Sequence, residues 1–245
     1  MNIAIIFAGG VGRRMKYSKI PKQFLKLNGK EIIIHTIEHF QRHTEIDAIV
    51  VACVADWHDH LHKLLKKYRI DKVQRIVPGG ESGQLSIYNG LCAARDIADE
   101  SHDNAPIVLI HDGVRPLINE ELISINIQGV KENGSAVTTT HVKETLLVVV
   151  PESGQITQVP DRSRSRIAKA PQSFFLKDIM DCHEKANSAM KHDFIDSCTM
   201  MHYYGKKLNL VDGPDENIKI TTPEDYYIAR AYIEARENNK LYYGE

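Results

Sequence analysis

After a first apolar run the chain reads Ala8-Gly9-Gly10-Val11-Gly12-Arg13-Arg14, and soon after Pro21-Lys22-Gln23-Phe24. Glycines without side chains let backbone N–H groups come close to an anion, and phosphate is the usual guest of such a loop. Both cationic clusters follow the glycines too closely to lie far from that phosphate. Arg14 and Lys22 are the side chains expected to meet it, Lys22 because the proline beside it restricts where it points. Arg13, Lys16 and Lys19 read equally well as surface charge, and a glycine turn with only a structural role is the alternative for the loop. A dinucleotide fingerprint is disfavoured, because Met15 stands where the third glycine belongs, and there is no Gly-Lys-Ser/Thr P-loop.

Two further loops carry chemistry: Pro78-Gly79-Gly80-Glu81 and His111-Asp112-Gly113-Val114-Arg115-Pro116. Each follows an apolar run without strict alternation. These runs, Ile3 to Phe7, Ala48 to Cys53, Val73 to Val77 and Pro106 to Ile110, suit strands covered on both faces. Helical segments at Ile32 to His43, Asp56 to Tyr68 and Leu85 to Ala98 alternate with them. The expected fold is α/β, a Rossmann-like doubly wound and mostly parallel sheet, whose ligands bind at the carboxyl ends of the strands.

Ala136 to His141 and Thr145 to Val150 read as strands, Pro151 to Gly154 as a turn and Gln155 to Val159 as a returning strand. This apolar hairpin is expected to be appended to a complete sheet and to pack against a second subunit, making a homodimer. Thr222-Pro223-Glu224-Asp225 starts a helix to about Glu237, with a cap, a proline at the first helical position and acids in the first turn. One domain over 1–245 is expected, with 136–164 as a β-arm.

With 245 residues, a net charge of −1 and 26% charged residues, neither nucleic acid nor a membrane is indicated as a partner. Met1 to Gly10 is a short apolar run before glycines with neither a basic leader nor a cleavage site, and no stretch has membrane-spanning length, so a cytoplasmic protein is expected. Cys53, Cys92, Cys182 and Cys198 form no CxxC pair and read as reduced thiols. His35, His39 and His43, and His58, His60 and His62, lack cysteine or carboxylate partners at metal spacing and read as solvated helix faces.

AGGVGRRM, PKQF, PGGESGQLS, HDGVRP, KET, APQSF and ENIKITTPED, in this order over nearly the whole chain, resemble the pyrimidine (cytidylyl) nucleotidyltransferases. Members of that family make CDP-methylerythritol for isoprenoids, or CDP-ribitol or CDP-glycerol for wall and capsule polymers. The resemblance implies attack of a polyol phosphate on the α-phosphorus of CTP, with release of pyrophosphate. A phosphate monoester is largely dianionic near neutral pH, so no general base is required; the difficulty is the meeting of two polyanions.

By that similarity, Ala8, Gly9, Gly10 and Gly12 cradle the triphosphate, while Arg14, Lys22 and Lys219 stabilise charge. Asp112 and Glu216 hold Mg²⁺, although relatives have an aspartate at the second position. Gly80, Glu81 and Ser86 match the loop that reads cytosine and ribose; Gly83 replaces a usual arginine, and Ser86 serves equally well as a helix N-cap. Arg115, together with Thr145 and Arg162 reaching over from a neighbouring subunit, would hold the polyol phosphate. Ala170 stands where many relatives have threonine. Phe7-Ala8-Gly9-Gly10 and Trp57 lie closer to the ribitol phosphate relatives, so D-ribitol 5-phosphate is the expected acceptor, with methylerythritol 4-phosphate and a glycerol phosphate as alternatives. A catalytically dead nucleotide-binding sensor is the non-enzyme alternative.

Overall fold

The computed structural model describes residues 1–9 and 20–243. Its strands are β1 (Asn2–Ala8), β2 (Lys26–Leu27), β3 (Lys30–Glu31), β4 (Ala48–Cys53), β5 (Val73–Pro78), β6 (Ile107–Asp112), β7 (Ser135–His141), β8 (Val148–Val149), β9 (Ile156–Gln158), β10 (Arg166–Phe175) and β11 (Leu210–Asp212). Its helices are α1 (Ile32–Arg42), α2 (His58–Lys67), α3 (Gly83–Glu100), α4 (Glu120–Asn133), α5 (Leu176–Ser188), α6 (Ser197–Tyr203) and α7 (Pro223–Tyr243). The seven-stranded sheet has the order β11-β7-β10-β6-β1-β4-β5, and its β10 runs antiparallel to both neighbours while the other pairs are parallel.

The apolar runs become buried strands because both sheet faces are covered. In β1, Ala4, Ile6 and Ala8 join α1, α2 and α4 in one core layer, and Ile3 and Ile5 join α3, α5 and α6 in the other. Every residue of β4 and β6 is buried, as continuous apolar runs in a doubly wound sheet require. A third cluster joins Leu27, Val114, Leu117 and Ile220 to Ala229 and Ile233 of α7. Among the described residues no helix is long and apolar enough to cross a membrane.

Local capping chemistry fixes the ends of α4 and the start of α7, the latter as the sequence suggests. Asn119 accepts from Leu122 N at the start of α4, and Gly134 ends that helix at φ +80°, a left-handed turn suited to glycine. At α7 the Asp225 carboxylate accepts from Thr221 N and Thr222 N at 2.8 Å each.

Four expectations need correction. The fourth strand does not stop at Ile110 but continues through His111 and Asp112, held by the pairs Ile6↔His111 and Phe7↔Asp112. Ser135 to His141 is not an appendage: β7 pairs with β10 and β11 inside the main sheet. The hairpin proper is only β8 against β9, because its apolar residues Leu147, Val148, Val149 and Ile156 find no core to cover and stay exposed. The α1 histidines are not a solvated face: His43 is buried with Nε2 2.9 Å from Ser124 Oγ, and His35 Nε2 lies 2.7 Å from the Leu27 carbonyl.

Candidate active site

The chain leaves β1 for β4 and β5 on one side and returns to β6 on the other, so the carboxyl ends of β1 and β6 flank a topological switch point. Ala8 ends the first of these strands, with Gly9 just beyond it, and Asp112 ends the second. Gly10, Gly12 and Arg14 lie outside the described residues.

Asp112 is the electrostatic centre. Its carboxylate is 7% exposed and accepts from Arg115 Nε at 2.8 Å on Oδ2, with Lys219 Nζ 2.5 Å from Oδ1. Burial by itself would raise the carboxyl; the charges of Lys219 and then Arg115 outweigh it and bring it down to about 2. Arg115 is fixed again by Nη1, which donates to the Asn217 carbonyl at 2.9 Å. The Asn217 amide donates to the Ala170 carbonyl at 2.7 Å, tying β10 to the segment that carries Lys219.

Lys22 follows a different path to the same place. Its Nζ donates to the Ile220 carbonyl at 3.0 Å, beside Lys219, and Gln23 Nε2 donates to the Ala8 carbonyl at 2.6 Å. Phe24 then stacks on Trp57 at 4.7 Å. Gln23 was not anticipated; its only signal is a polar residue between Lys22 and an anchoring Phe24.

Gly9 and the Pro78–Gly80 loop meet face to face. A Cβ on Gly9 would stand 2.5 Å from Ser86 Oγ and 3.2 Å from Gly79 Cα, and one on Gly79 only 2.8 Å from Gly9 Cα. Ser86 is not the helix cap. Ser82 takes that part by accepting from Leu85 N, while the buried Ser86 hydroxyl accepts from Gly80 N at 3.0 Å and donates to the Ser82 carbonyl at 2.9 Å. Gly80 is thereby held in place, and Glu81 is exposed.

Not all expected residues converge. Glu216 faces Arg236 across 3.6 Å. Thr145 and Arg162 are exposed at the base of the arm, where Arg162 Nη1 donates to the Lys143 carbonyl at 2.9 Å, and neither lines the cavity described next.

A cavity of about 280 Å³ opens between β1, β6, β10, α3 and α5, and its lining includes Asp112, Arg115 and Lys219. Sequence reasoning missed Lys169, which also lines it and whose ammonium is lowered in pKa by burial and then by Arg115. Two cations on one buried carboxylate, with Lys169 on the same cavity wall and its Nζ donating to the Asp215 carbonyl at 2.8 Å, make a place for a polyanion. Asp112, a hard and fully ionised oxygen donor, fits a divalent cation. No group of three or more His, Cys, Asp or Glu among the described residues could hold one, so the other ligands would be substrate phosphate and water.

Residues 2–235 match the model of the 2-C-methyl-D-erythritol 4-phosphate cytidylyltransferase family, IspD. The chain is 54% identical to the ribitol-5-phosphate cytidylyltransferase of Streptococcus agalactiae serotype Ia over 242 residues, 99% of each chain. It is 52% identical to that of Vibrio parahaemolyticus serotype O3:K6, over 99% of this chain and all of the relative. The 2-C-methyl-D-erythritol 4-phosphate cytidylyltransferase of Clostridium botulinum strain 657 is 37% identical over 95% of this chain and 97% of the relative. The crystal structure of 4-diphosphocytidyl-2C-methyl-D-erythritol synthase from Anaerococcus prevotii aligns with a TM-score of 0.79 at 30% identity, covering 95% of this chain and 96% of that one. The switch-point site and these full-length matches agree: the chain belongs to the IspD family of cytidylyltransferases.

Proposed function

We propose that this cytidylyltransferase uses D-ribitol 5-phosphate as acceptor, joining it to the CMP part of CTP to give CDP-ribitol and pyrophosphate. The observation that carries this reading is the cavity at the switch point, where Arg115 and Lys219 flank the buried Asp112 and Lys169 lines the same wall. The acceptor is supported by full-length relatives at 54% and 52% identity that bear the ribitol-5-phosphate name, against 37% for one bearing the methylerythritol name.

A non-bridging oxygen of the acceptor phosphate forms a bond to the α-phosphorus of CTP, and the bond from that phosphorus to the β-bridging oxygen breaks. Its electron pair leaves on pyrophosphate. Arg115 and Lys219, oriented by Asp112, draw the acceptor dianion in and offset the repulsion between the two anions. Ala8, Gly9, Gly10, Gly12, Arg14 and Lys22 would receive the triphosphate, and Gly80, Glu81 and Ser86 the nucleoside; the close fit of Gly9 against Gly79 supports a backbone-lined cradle. Mg²⁺ would be held by Asp112, with substrate phosphate and water completing its shell, while Glu216 stands paired with Arg236 at 3.6 Å. When bound, the ion supplies charge neutralisation on the triphosphate.

The exposed apolar residues of β8 and β9 support a homodimer in which Thr145 and Arg162 reach the partner's site. Four free thiols accord with a reducing cytoplasm.

Pyrophosphate release from CTP, with and without magnesium, tests the reading against each polyol phosphate in turn. It predicts magnesium-dependent turnover with ribitol 5-phosphate and a product of the mass of CDP-ribitol. A higher kcat/KM with methylerythritol 4-phosphate would overturn the acceptor.

A further inference from the structure

The cavity that holds Asp112, Arg115 and Lys219 continues to a second group of polar side chains that the transfer chemistry does not use. His183 of α5 and Ser197 of α6 both line it, at 1% and 3% exposure. Neither ring nitrogen of His183 and neither lone pair nor proton of the Ser197 hydroxyl finds a partner among the described residues. Burial brings the imidazole down to about 4, so at neutral pH it offers one N–H donor and one bare acceptor nitrogen. The Tyr88 ring stacks against it at 5.7 Å and fixes its plane.

Unmatched donors and acceptors in an apolar wall are costly, and a leucine or an alanine would occupy these positions without that cost. Their presence in a ligand-sized cavity calls for a ligand that matches them. A polyol does so with successive hydroxyls, each both donor and acceptor.

We propose that His183 and Ser197 are specificity-determining residues that hydrogen-bond the hydroxyls of the acceptor's carbon chain while Arg115, Lys169 and Lys219 hold its phosphate. This rests on the ribitol phosphate reading above and deepens it. A more hydroxylated chain matches this end of the cavity better than a methyl-branched one, because a methyl group set against His183 leaves both nitrogens unmatched.

The test is steady-state kinetics of wild type, His183→Leu, His183→Gln and Ser197→Ala, with ribitol 5-phosphate and methylerythritol 4-phosphate as acceptors and thermal melting in parallel. His183→Leu should raise the KM for ribitol 5-phosphate about 10-fold or more, with the KM for CTP within about twofold and the melting temperature not lowered. Ser197→Ala should do the same to a lesser degree. His183→Gln, which keeps a donor and an acceptor, should recover part of the loss. A wild type that does not turn over ribitol 5-phosphate fails the reading itself. A wild type that does so, beside a His183→Leu protein with unchanged acceptor kinetics, overturns this inference only, as expected if His183 and Ser197 merely hold a buried water. A His183→Leu protein that melts lower and treats both acceptors alike overturns it too, since the ring would then serve the packing of α5.

Discussion

Lys219 Nζ stands 2.5 Å from Asp112 Oδ1, although the two residues lie far apart in the sequence. With Arg115 on the other oxygen, one carboxylate aims two cations into the cavity, and their charge in turn keeps that carboxylate ionised. This arrangement gives the cavity the charge that the proposed phosphate acceptor needs.

Neutralising Lys219 removes transition-state stabilisation rather than the fold. Lys219→Met is expected to lower kcat/KM about 10²–10³-fold and to cost less unfolding free energy than loss of Asp112, because Arg115 still pairs the buried carboxylate. Asp112→Asn behaves differently, because it leaves two cations facing each other without their anion. Urea unfolding should show a loss of about 3 kcal/mol, the low end for a broken buried pair because Lys219 is 41% exposed.

The contact between the two glycine loops predicts opposite signs at neighbouring positions. Gly79→Ala places a Cβ 2.8 Å from Gly9 Cα, a backbone atom that cannot turn aside, and should cost about 1–3 kcal/mol while raising the KM for CTP. Gly83→Ala, at the first residue of α3, meets nothing within 4 Å among the described residues and should stabilise by about 0.5 kcal/mol. Denaturant midpoints of the two variants check the difference.

Acid weakens the fold through its buried histidines. Burial lowers His39 to about 3 and His111 and His183 to about 4, from 6.5. Below 6.5 the unfolded chain takes up protons that the folded one refuses, so stability falls as pH falls from about 6.5 and levels off for His111 and His183 near 4. Asp112, with a carboxyl lowered from 3.8 to about 2, loses its contribution in the same direction but further down. Unfolding free energy against pH should have a positive slope in the upper window, and His183→Leu should reduce it by at most about 1.4 kcal/mol per pH unit.

Exposed Leu147, Val148 and Ile156 carry no core on their outer side. The proposed homodimer predicts that the wild type sediments as a dimer and that Leu147→Asp combined with Ile156→Asp shifts it to monomer in analytical ultracentrifugation and lowers activity at least about 10-fold, because Thr145 and Arg162 would no longer reach a neighbouring site. A variant that stays dimeric would locate the interface elsewhere.

The strand at Ala48 to Cys53 and the helix beginning at Ile32 match the structure to the residue at those bounds, and the capping of α7 matches as well. All of these are local: a continuous apolar run, a 3.6-residue period and a cap-proline-acid sequence state their conformation within a few residues. The order of phosphate-type loops after β1, β5 and β6 is equally local. What no local pattern contains is which strand lies beside which. The antiparallel entry of β10 between β6 and β7 drew Ser135 to His141 into the main sheet, because sheet pairing is decided by which apolar faces are still uncovered once the rest has packed. The same holds for the site. Asp112, Arg115 and the segment from Glu216 to Lys219 are recognisable as residue types in the chain, but the pairing of Lys219 with Asp112, the diversion of Glu216 to Arg236 and the convergence of Lys169, His183 and Ser197 on one cavity exist only after distant segments meet, since charge and hydrogen bonding act across space and not along the sequence.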